Sequence, residues 1–384
     1  MTLITYLTRV HFADDVLEEA LRSELEMQGR RRPLVVIDGA TGNCPNGELV
    51  VDRILGSLPL RSIAVLFERQ APVATGAEIV AAARTYVEEG CDVIVASGDA
   101  STIGLARLVQ LALAEPDDLA ALPRKLAKGS LRAKRSDALA DLIAIPDIGS
   151  SGAVIADRVP IELDDGTRRM VDAPDIPPRA TICDPTLTLR ASPCETACSA
   201  VQSVSHCIEA YVSRGYNPPA EGIALDGLRR VLASWKRVNR GGSDLEARRE
   251  LMAASLNGAL AVQKGLGACH ASAEALRAVA GGLAGTGGLQ RIVLPEVVRL
   301  NRDAAPGKFS ALDDLIGCGA DGSFGRDLQG LLDTMALPTR LSELGLTNEH
   351  LVRAANVAAV DRATGTNPRA MDASDYLAMM RSLH

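Results

Sequence analysis

Strand-like and helix-like segments alternate through the first half of this 384-residue chain, and from Ser192 onward only the helical pattern continues. Pro33–Asp38, residues 62–67 and residues 92–97 are short, almost continuously apolar runs, the pattern of strands buried on both faces. Between the last two lies 76–89, where Ile79, Ala82, Ala83 and Val87 recur at helical spacing. Strand, helix, strand in that order builds a parallel sheet wound with helices. Leu142–Pro146 reads as a further strand running into a turn-rich loop at 147–152. Residues 163–178, rich in Asp, Pro and Arg, read as a surface excursion or hairpin, and Ala180–Cys183 closes the half. Helices are expected near 193–213, 217–235, 244–265, 268–281, 289–303, 308–316, 324–335, 348–359 and 372–382, with Pro193 and Pro218 at helix starts, where the missing N–H costs nothing. The expected architecture is an α/β domain over 1–185 followed by an all-helical domain over 186–384.

Aromatic residues make up only 3% of the chain against 47% hydrophobic overall, so the core must come from Ala, Leu, Val and Ile, which suits close-packed helices and buried parallel strands. The net charge of −7 arises from interspersed carboxylates, and no basic stripe is present, so nucleic acid is not an expected partner. No apolar run approaches the length of a membrane span, and residues 1–16 lack a basic start followed by an apolar stretch, so a cytoplasmic protein without a membrane partner is expected. The eight cysteines follow no disulfide spacing and read as free thiols. Cys194 and Cys198 with His206 and His270 define one zinc-site arrangement; the competing reading is that the cysteines are small buried hydrophobes.

His206 and His270 each fall in a helix-patterned stretch with a hydrogen-bonding residue four positions away, Gln202 before the first and Glu274 after the second. Residues four apart share a helix face, so each pair either offers two donor atoms to a cleft or satisfies itself in the core. In the first half, the strand at 92–97 turns into a helix through Gly98-Asp99-Ala100-Ser101-Thr102. Such a turn presents free backbone N–H groups and a positive dipole end to a pyrophosphate, with the Ser101 hydroxyl as a further donor. A plain turn capped by Ser101 or Thr102 is the other reading. Asp38, at a strand end, can accept from a ribose diol and repel a 2′-phosphate, which favours NAD(H) over NADP(H), or it can cap its own turn.

The segment Gly98-Asp99-Ala100-Ser101-Thr102-Ile103-Gly104-Leu105-Ala106-Arg107 resembles the G-G-G-S-x-x-D/G-x-A-K segment of the iron-containing (group III) alcohol dehydrogenases, and Gly104-Leu105 is closest to their maleylacetate reductase branch. In family order, Asp184-Pro185-Thr186-Leu187-Thr188 resembles D-P-x-L-T, His206-Cys207-Ile208-Glu209-Ala210-Tyr211 resembles H-A-I-E-A-Y, and Gly265 to Ala271 resembles G-L-G-x-x-H-A. Ile292 to Pro295 is similar to I-L-L-P, and Asn367-Pro368-Arg369 to N-P-R.

The resemblance implies an NAD(P)-holding α/β domain and a helical domain whose divalent iron or zinc polarises the substrate oxygen while nicotinamide exchanges hydride with the carbon. The four ligand positions fall on Gln202, His206, His270 and Thr286; the first and last are neutral, poor donors for such a metal. Glu274 is an alternative third ligand. On the cofactor side, Asp99 and Ala100 replace glycines, Ser150 and Ser151 stand where the family has threonines and Ala153 replaces a glutamate. A carboxylate at Asp99 would repel phosphate unless it meets a cation such as Arg107.

The function expected is that of an NAD(H)-dependent oxidoreductase of the maleylacetate reductase-like kind, acting without a tightly held metal on a small carbonyl or alcohol, with or without a carboxylate. His206 or His270 is the proton donor, oriented by Glu274 or Gln202, and Arg168 or Arg169 either pairs with a substrate carboxylate or serves the surface. The alternative is a catalytically silent relative acting as a binding or assembly partner. A 3-dehydroquinate synthase-like lyase is disfavoured by the D-P-x-L-T and N-P-R segments. A homodimer is the family expectation.

Overall fold

In the α/β half, a computed structural model places β1 (Arg9–Phe12), α1 (Leu17–Met27), β2 (Pro33–Asp38), α2 (Pro45–Gly56), β3 (Val65–Arg69), α3 (Gly76–Glu88), β4 (Val93–Gly98), α4 (Ala100–Leu113), β5 (Leu142–Pro146), β6 (Arg158–Glu162), β7 (Arg168–Asp172) and β8 (Ala180–Cys183). It describes residues 9–38, 45–114, 139–147, 158–163, 168–172, 177–280, 285–315 and 324–384, together with 119, 122, 125, 154 and 166. Six strands form one sheet in the order β1-β8-β5-β4-β2-β3, all parallel.

Strand periodicity sorts the apolar side chains between two cores. Leu34 and Val36, Ile94 and Ala96, and Leu142 and Ala144 face α3 and α4, whereas Val35 and Ile37, Val93 and Val95, and Ile143 and Ile145 face Leu17, Leu21 and Leu25 of α1. Helices on both faces explain why the strands read as continuous rather than alternating apolar runs. Each fully buried Val, Leu or Ile contributes roughly 1.5–3 kcal/mol, so a charge at any of these positions would unfold the sheet.

β2 leads to β3 on one side and β4 leads to β5 on the other, so the winding reverses between the adjacent strands β2 and β4. In open α/β sheets the carboxyl ends at such a reversal form the ligand crevice. Asp38 and Gly98 are the last residues of those two strands.

Some expectations need correction. The sheet has an edge strand, β1, that no apolar run signals: Arg9 and Val10 are exposed, and one neighbour suffices to hold it. The strand expected at 62–67 begins at Val65, because Ile63 is 59% exposed and outside the ladder. β6 and β7 pair antiparallel, in keeping with the hairpin alternative but starting at Arg158 rather than 163, and they are more than a surface excursion, since Val159, Ile161 and Val171 are buried in the α4-side core. Asp184 of the D-P-x-L-T segment is structural. Its buried carboxylate accepts from the amides of Asp15 (2.9 Å) and Leu17 (3.2 Å) and pairs with Arg53 (2.9 Å), tying the start of α1 and the end of α2 to β8.

The chain divides into two compact units after Arg190. The second comprises α5 (Pro193–Val212), α6 (Pro218–Arg240), α7 (Leu245–Ala261), α8 (Ala268–Val279), α9 (Thr286–Asn301), α10 (Pro306–Leu315), α11 (Phe324–Asp333), α12 (Asn348–Ala359), α13 (Arg362–Thr366) and α14 (Ala373–Ser382), and among the described residues it has no strand. Ser192 and Glu195 make a capping box at the start of α5, with Pro193 in its first turn. At the other end the buried Lys264 ammonium donates to the carbonyls of Ala210, Tyr211 and Ser213 at 2.7–2.8 Å, a cation on the negative end of the helix. Burial lowers Lys264 to about 8, against the opposing pull of Glu221. α6 runs past the expected 235 to Arg240 because Val238 is still a buried position.

Candidate active site

At the reversal point, β4 ends in Gly98 with φ +138°, a conformation that favours glycine, and a Cβ there would stand 3.3 Å from the Thr102 hydroxyl. The cap of α4 is Asp99, not Ser101 or Thr102: its carboxylate accepts from the Thr102 amide and hydroxyl, both at 2.8 Å. The cation that meets Asp99 is Arg69, not the buried Arg107. Arg69, the last residue of β3, has a side chain 4% exposed; Nη2 lies 3.2 Å from both Asp99 oxygens and 2.8 Å from Asp38, while Nε donates to Thr102 at 3.1 Å. A third donor goes to the Ala71 carbonyl. Asp38 is therefore an ion-pair partner that keeps partial exposure at the strand end.

These features fit a dinucleotide. The repulsion expected of Asp99 is neutralised by a guanidinium, Ala100 is exposed, with its methyl outside the core, and Ser101 is in the first turn of α4. Ser150, Ser151 and Ala153 lie outside the described residues. Arg169 is exposed on β7, and nothing is described of the Arg168 side chain.

In the helical unit, His206 on α5 and His270 in the first turn of α8 are brought together, with ring centroids 6.1 Å apart and planes inclined by 58°. Burial drives His206 down to about 3, with the neighbouring His270 adding to the effect and Glu274 opposing it, so its imidazole is neutral. His270 is less buried. Gln202 lies one turn before His206, half-buried.

Three residues not singled out from sequence hold this arrangement. α8 begins at Gly267, with no side-chain cap of its own. Its amides are met from elsewhere: Glu209 of α5 accepts from Cys269 (2.7 Å) and His270 (3.0 Å), and Asn367 accepts from Ala268 (3.1 Å). Asn301 at the end of α9 fixes Asn367 through paired amide bonds of 2.8 Å. A Cβ on Gly267 would sit 2.7 Å from Asn367 and 2.8 Å from Glu209, which explains the glycine. Burial pushes the Glu209 carboxyl up to about 7, against the pull of the Cys269, His270 and Gly267 amides. The signal available in the sequence was the uncapped helix start itself, which obliges a distant acceptor.

Glu209→Gln should therefore destabilise the fold by about 1.5–3 kcal/mol, because the amide NH2 would face a backbone donor where a carboxylate oxygen accepted. Denaturant unfolding checks this; a variant as stable as the parent contradicts the assignment.

Glu274 does not orient His270. Its carboxylate accepts from Arg277 (2.6 and 3.2 Å) and Thr286 (3.4 Å), and among the described residues Nδ1 of His270 is buried without a partner. The Arg277 and His270 charges and these two hydrogen bonds hold Glu274 below the usual carboxylate range despite its burial. Thr286 opens α9, which starts ahead of the helix expected near 289–303.

A tightly held divalent ion does not fit this donor set. Gln202 and Thr286 are neutral, Glu274 is committed to Arg277, and a ligating imidazole almost always has a partner on its other nitrogen, whereas among the described residues the buried Nδ1 of His270 has none. Neither His206, His270 and Glu274 nor the two cysteines with the histidines converge on one point. Among the described residues the sole set of three acidic, His or Cys donors within 4.8 Å is Asp15, Glu18 and Asp184, where Arg53 already supplies the cation. Burial, with Cys194 beside it, pushes the Cys198 thiol up to about 12, far from a thiolate ligand.

Residues 8–185 match the family model described as iron-containing alcohol dehydrogenase, and 196–384 match the C-terminal model of the same family. The 4-hydroxybutyrate dehydrogenase of Cupriavidus necator is 33% identical over 387 residues, covering 99% of both chains. Among solved structures, sulfoacetaldehyde reductase from Bifidobacterium kashiwanohense in complex with NAD+ has a TM-score of 0.86 at 19% identity, covering 100% of this chain and 98% of its own. Maleylacetate reductase from Agrobacterium tumefaciens has a TM-score of 0.77 at 21% identity, with the same coverage. No helix of the described residues is long and apolar enough to cross a membrane.

Proposed function

Because the chain belongs to the iron-containing alcohol dehydrogenase family, we propose that this oxidoreductase interconverts a small ω-hydroxy acid and the corresponding aldehyde acid with NAD(H), and that a histidine rather than a metal handles the proton. The observation that carries the reading is the His206–His270 pair, retained at 6.1 Å while two of the family's four ligand positions are neutral. The full-length relative named for 4-hydroxybutyrate supports the substrate class.

NADH, when bound, supplies the hydride. The Ala100 and Ser101 amides at the start of α4 would receive its phosphates, with Arg69 holding the Asp99 carboxylate back, and Asp38 would accept from a ribose hydroxyl. His270 donates the proton that the carbonyl oxygen requires as hydride reaches the carbon, and takes it back in the oxidative direction. The neutral, buried His206 beside it keeps a second positive charge away from that ring.

NADH consumption with 4-oxobutanoate, compared with butanal, tests the substrate class. A higher kcat/KM for the acid is expected. No turnover together with no NADH binding would leave a catalytically silent shell as the function of this fold.

A further inference from the structure

Gln290, in the second turn of α9, is wholly buried, and among the described residues neither its amide oxygen nor its amide nitrogen has a hydrogen-bond partner. A side-chain amide can make up to about four hydrogen bonds, and burying it with none made is costly. An apolar side chain of similar size would fill the position without that cost, so stability does not explain the glutamine.

Contacts on either side fix the direction in which this amide points. On α9, the Thr286 hydroxyl meets Glu274 of α8 at 3.4 Å, and Gly287 lies against α5, where a Cβ would stand 2.6 Å from the Cys198 carbonyl oxygen. At about 100° per residue Gln290 falls between them, about 40° from Thr286 and about 60° from Gly287. Its side chain is thereby directed to where α5 and α8 meet, the helices that bring His206 and His270 together. On α8, α9 is met by Cys269, whose thiol lies 3.9 Å from the Gln290 carbonyl oxygen, and by Glu274. His270 lies between those two on the helix, about 100° from Cys269 and about 40° from Glu274, and its buried Nδ1 is likewise without a partner among the described residues. Ser272, whose hydroxyl is also unpartnered there, falls outside that arc.

We propose that Gln290 is a positioning residue for His270: turned about its side-chain torsions, it accepts the Nδ1–H of the ring through Oε1. This deepens the reading of His270 as proton donor and rests on it. Which ring nitrogen carries the proton is set by the bond the other makes. With Nδ1–H held by an amide that does not ionise, the proton given to the substrate oxygen leaves from Nε2 and returns there in the oxidative direction, while Nδ1 keeps its own throughout. Glu274, held by Arg277, does not serve this role. The bond adds no metal ligand, since Gln202 and Thr286 stay neutral.

The test is nitrogen-15 NMR of the full chain labelled at histidine, with the His270 signals identified by their loss in His270→Ala and read where the ring is neutral. The parent should show the Nδ1–H tautomer, and Gln290→Leu should lose it in favour of Nε2–H. Gln290→Met, unbranched and of similar length, should do the same and serves if Leu is not accommodated. In either variant kcat should fall about tenfold with KM little changed, while resistance to denaturant is unchanged or raised, because the amide makes no bond on which the fold depends. The proposal is overturned if the parent holds the Nε2–H form, or if parent and variants share one tautomer. A changed tautomer with an unchanged kcat upholds the bond between Gln290 and His270 and removes His270 from the chemistry, so the two readings fail separately.

Discussion

Arg69→Ala should lower the unfolding free energy by about 2–4 kcal/mol, between the limits for exposed and buried ion pairs, and weaken NADH binding by at least about an order of magnitude. One guanidinium serves Asp38, Asp99, Thr102 and the Ala71 carbonyl from a side chain that is almost wholly buried. Its removal leaves two carboxylates at the carboxyl ends of the strands where phosphates and ribose are to be received. The destabilisation falls short of a fully buried pair because Asp99 is 44% exposed and water can reclaim it. Arg69→Lys should recover part of the stability but not the affinity, since an ammonium cannot span both carboxylates as the planar fork does. Denaturant unfolding and a fluorescence titration with NADH read the two effects separately. An unchanged affinity in Arg69→Ala would mean that the cofactor lies away from the β2 and β4 ends.

His270→Ala should reduce kcat by about 10²–10⁴-fold, the usual contribution of a positioned general acid, with KM changed far less. The expectation follows from position. His270 is the more accessible of two adjacent imidazoles and has its backbone fixed by Glu209, whereas His206 is buried and neutral. Glu209→Gln should lower kcat to a lesser extent, because it displaces the helix start that carries the ring and leaves the ring itself in place. A kcat for His270→Ala within a few-fold of the parent would remove this residue from the chemistry.

Much of the fold was legible because period and length agree. The continuous Val and Ile runs at 33–38, 93–98 and 142–146 are what a sheet covered on both faces requires, and the helical half announces its starts through Pro193 and Pro218. β1 was not legible, since an exposed edge strand has no apolar run to betray it. The histidine pair was found from spacing and motif, but its support was not. Four-residue spacing puts Glu274 near His270, yet Arg277, three residues on, takes the carboxylate instead. Likewise, the cation for Asp99 comes from β3 rather than from α4, and the acceptors for α8 come from α5 and from Asn367. Long-range charge pairing of this kind is set by which strand and helix ends the topology makes neighbours, and local sequence does not encode it.

The central claim is that the imidazole pair works without a Lewis acid. NADH oxidation by 4-oxobutanoate, followed after exhaustive chelator dialysis and again after adding back Fe²⁺ or Zn²⁺, tests it most directly. The account predicts turnover that survives chelation, is not raised by either metal and is lost in His270→Ala; turnover that vanishes on chelation and returns with a divalent ion would contradict it.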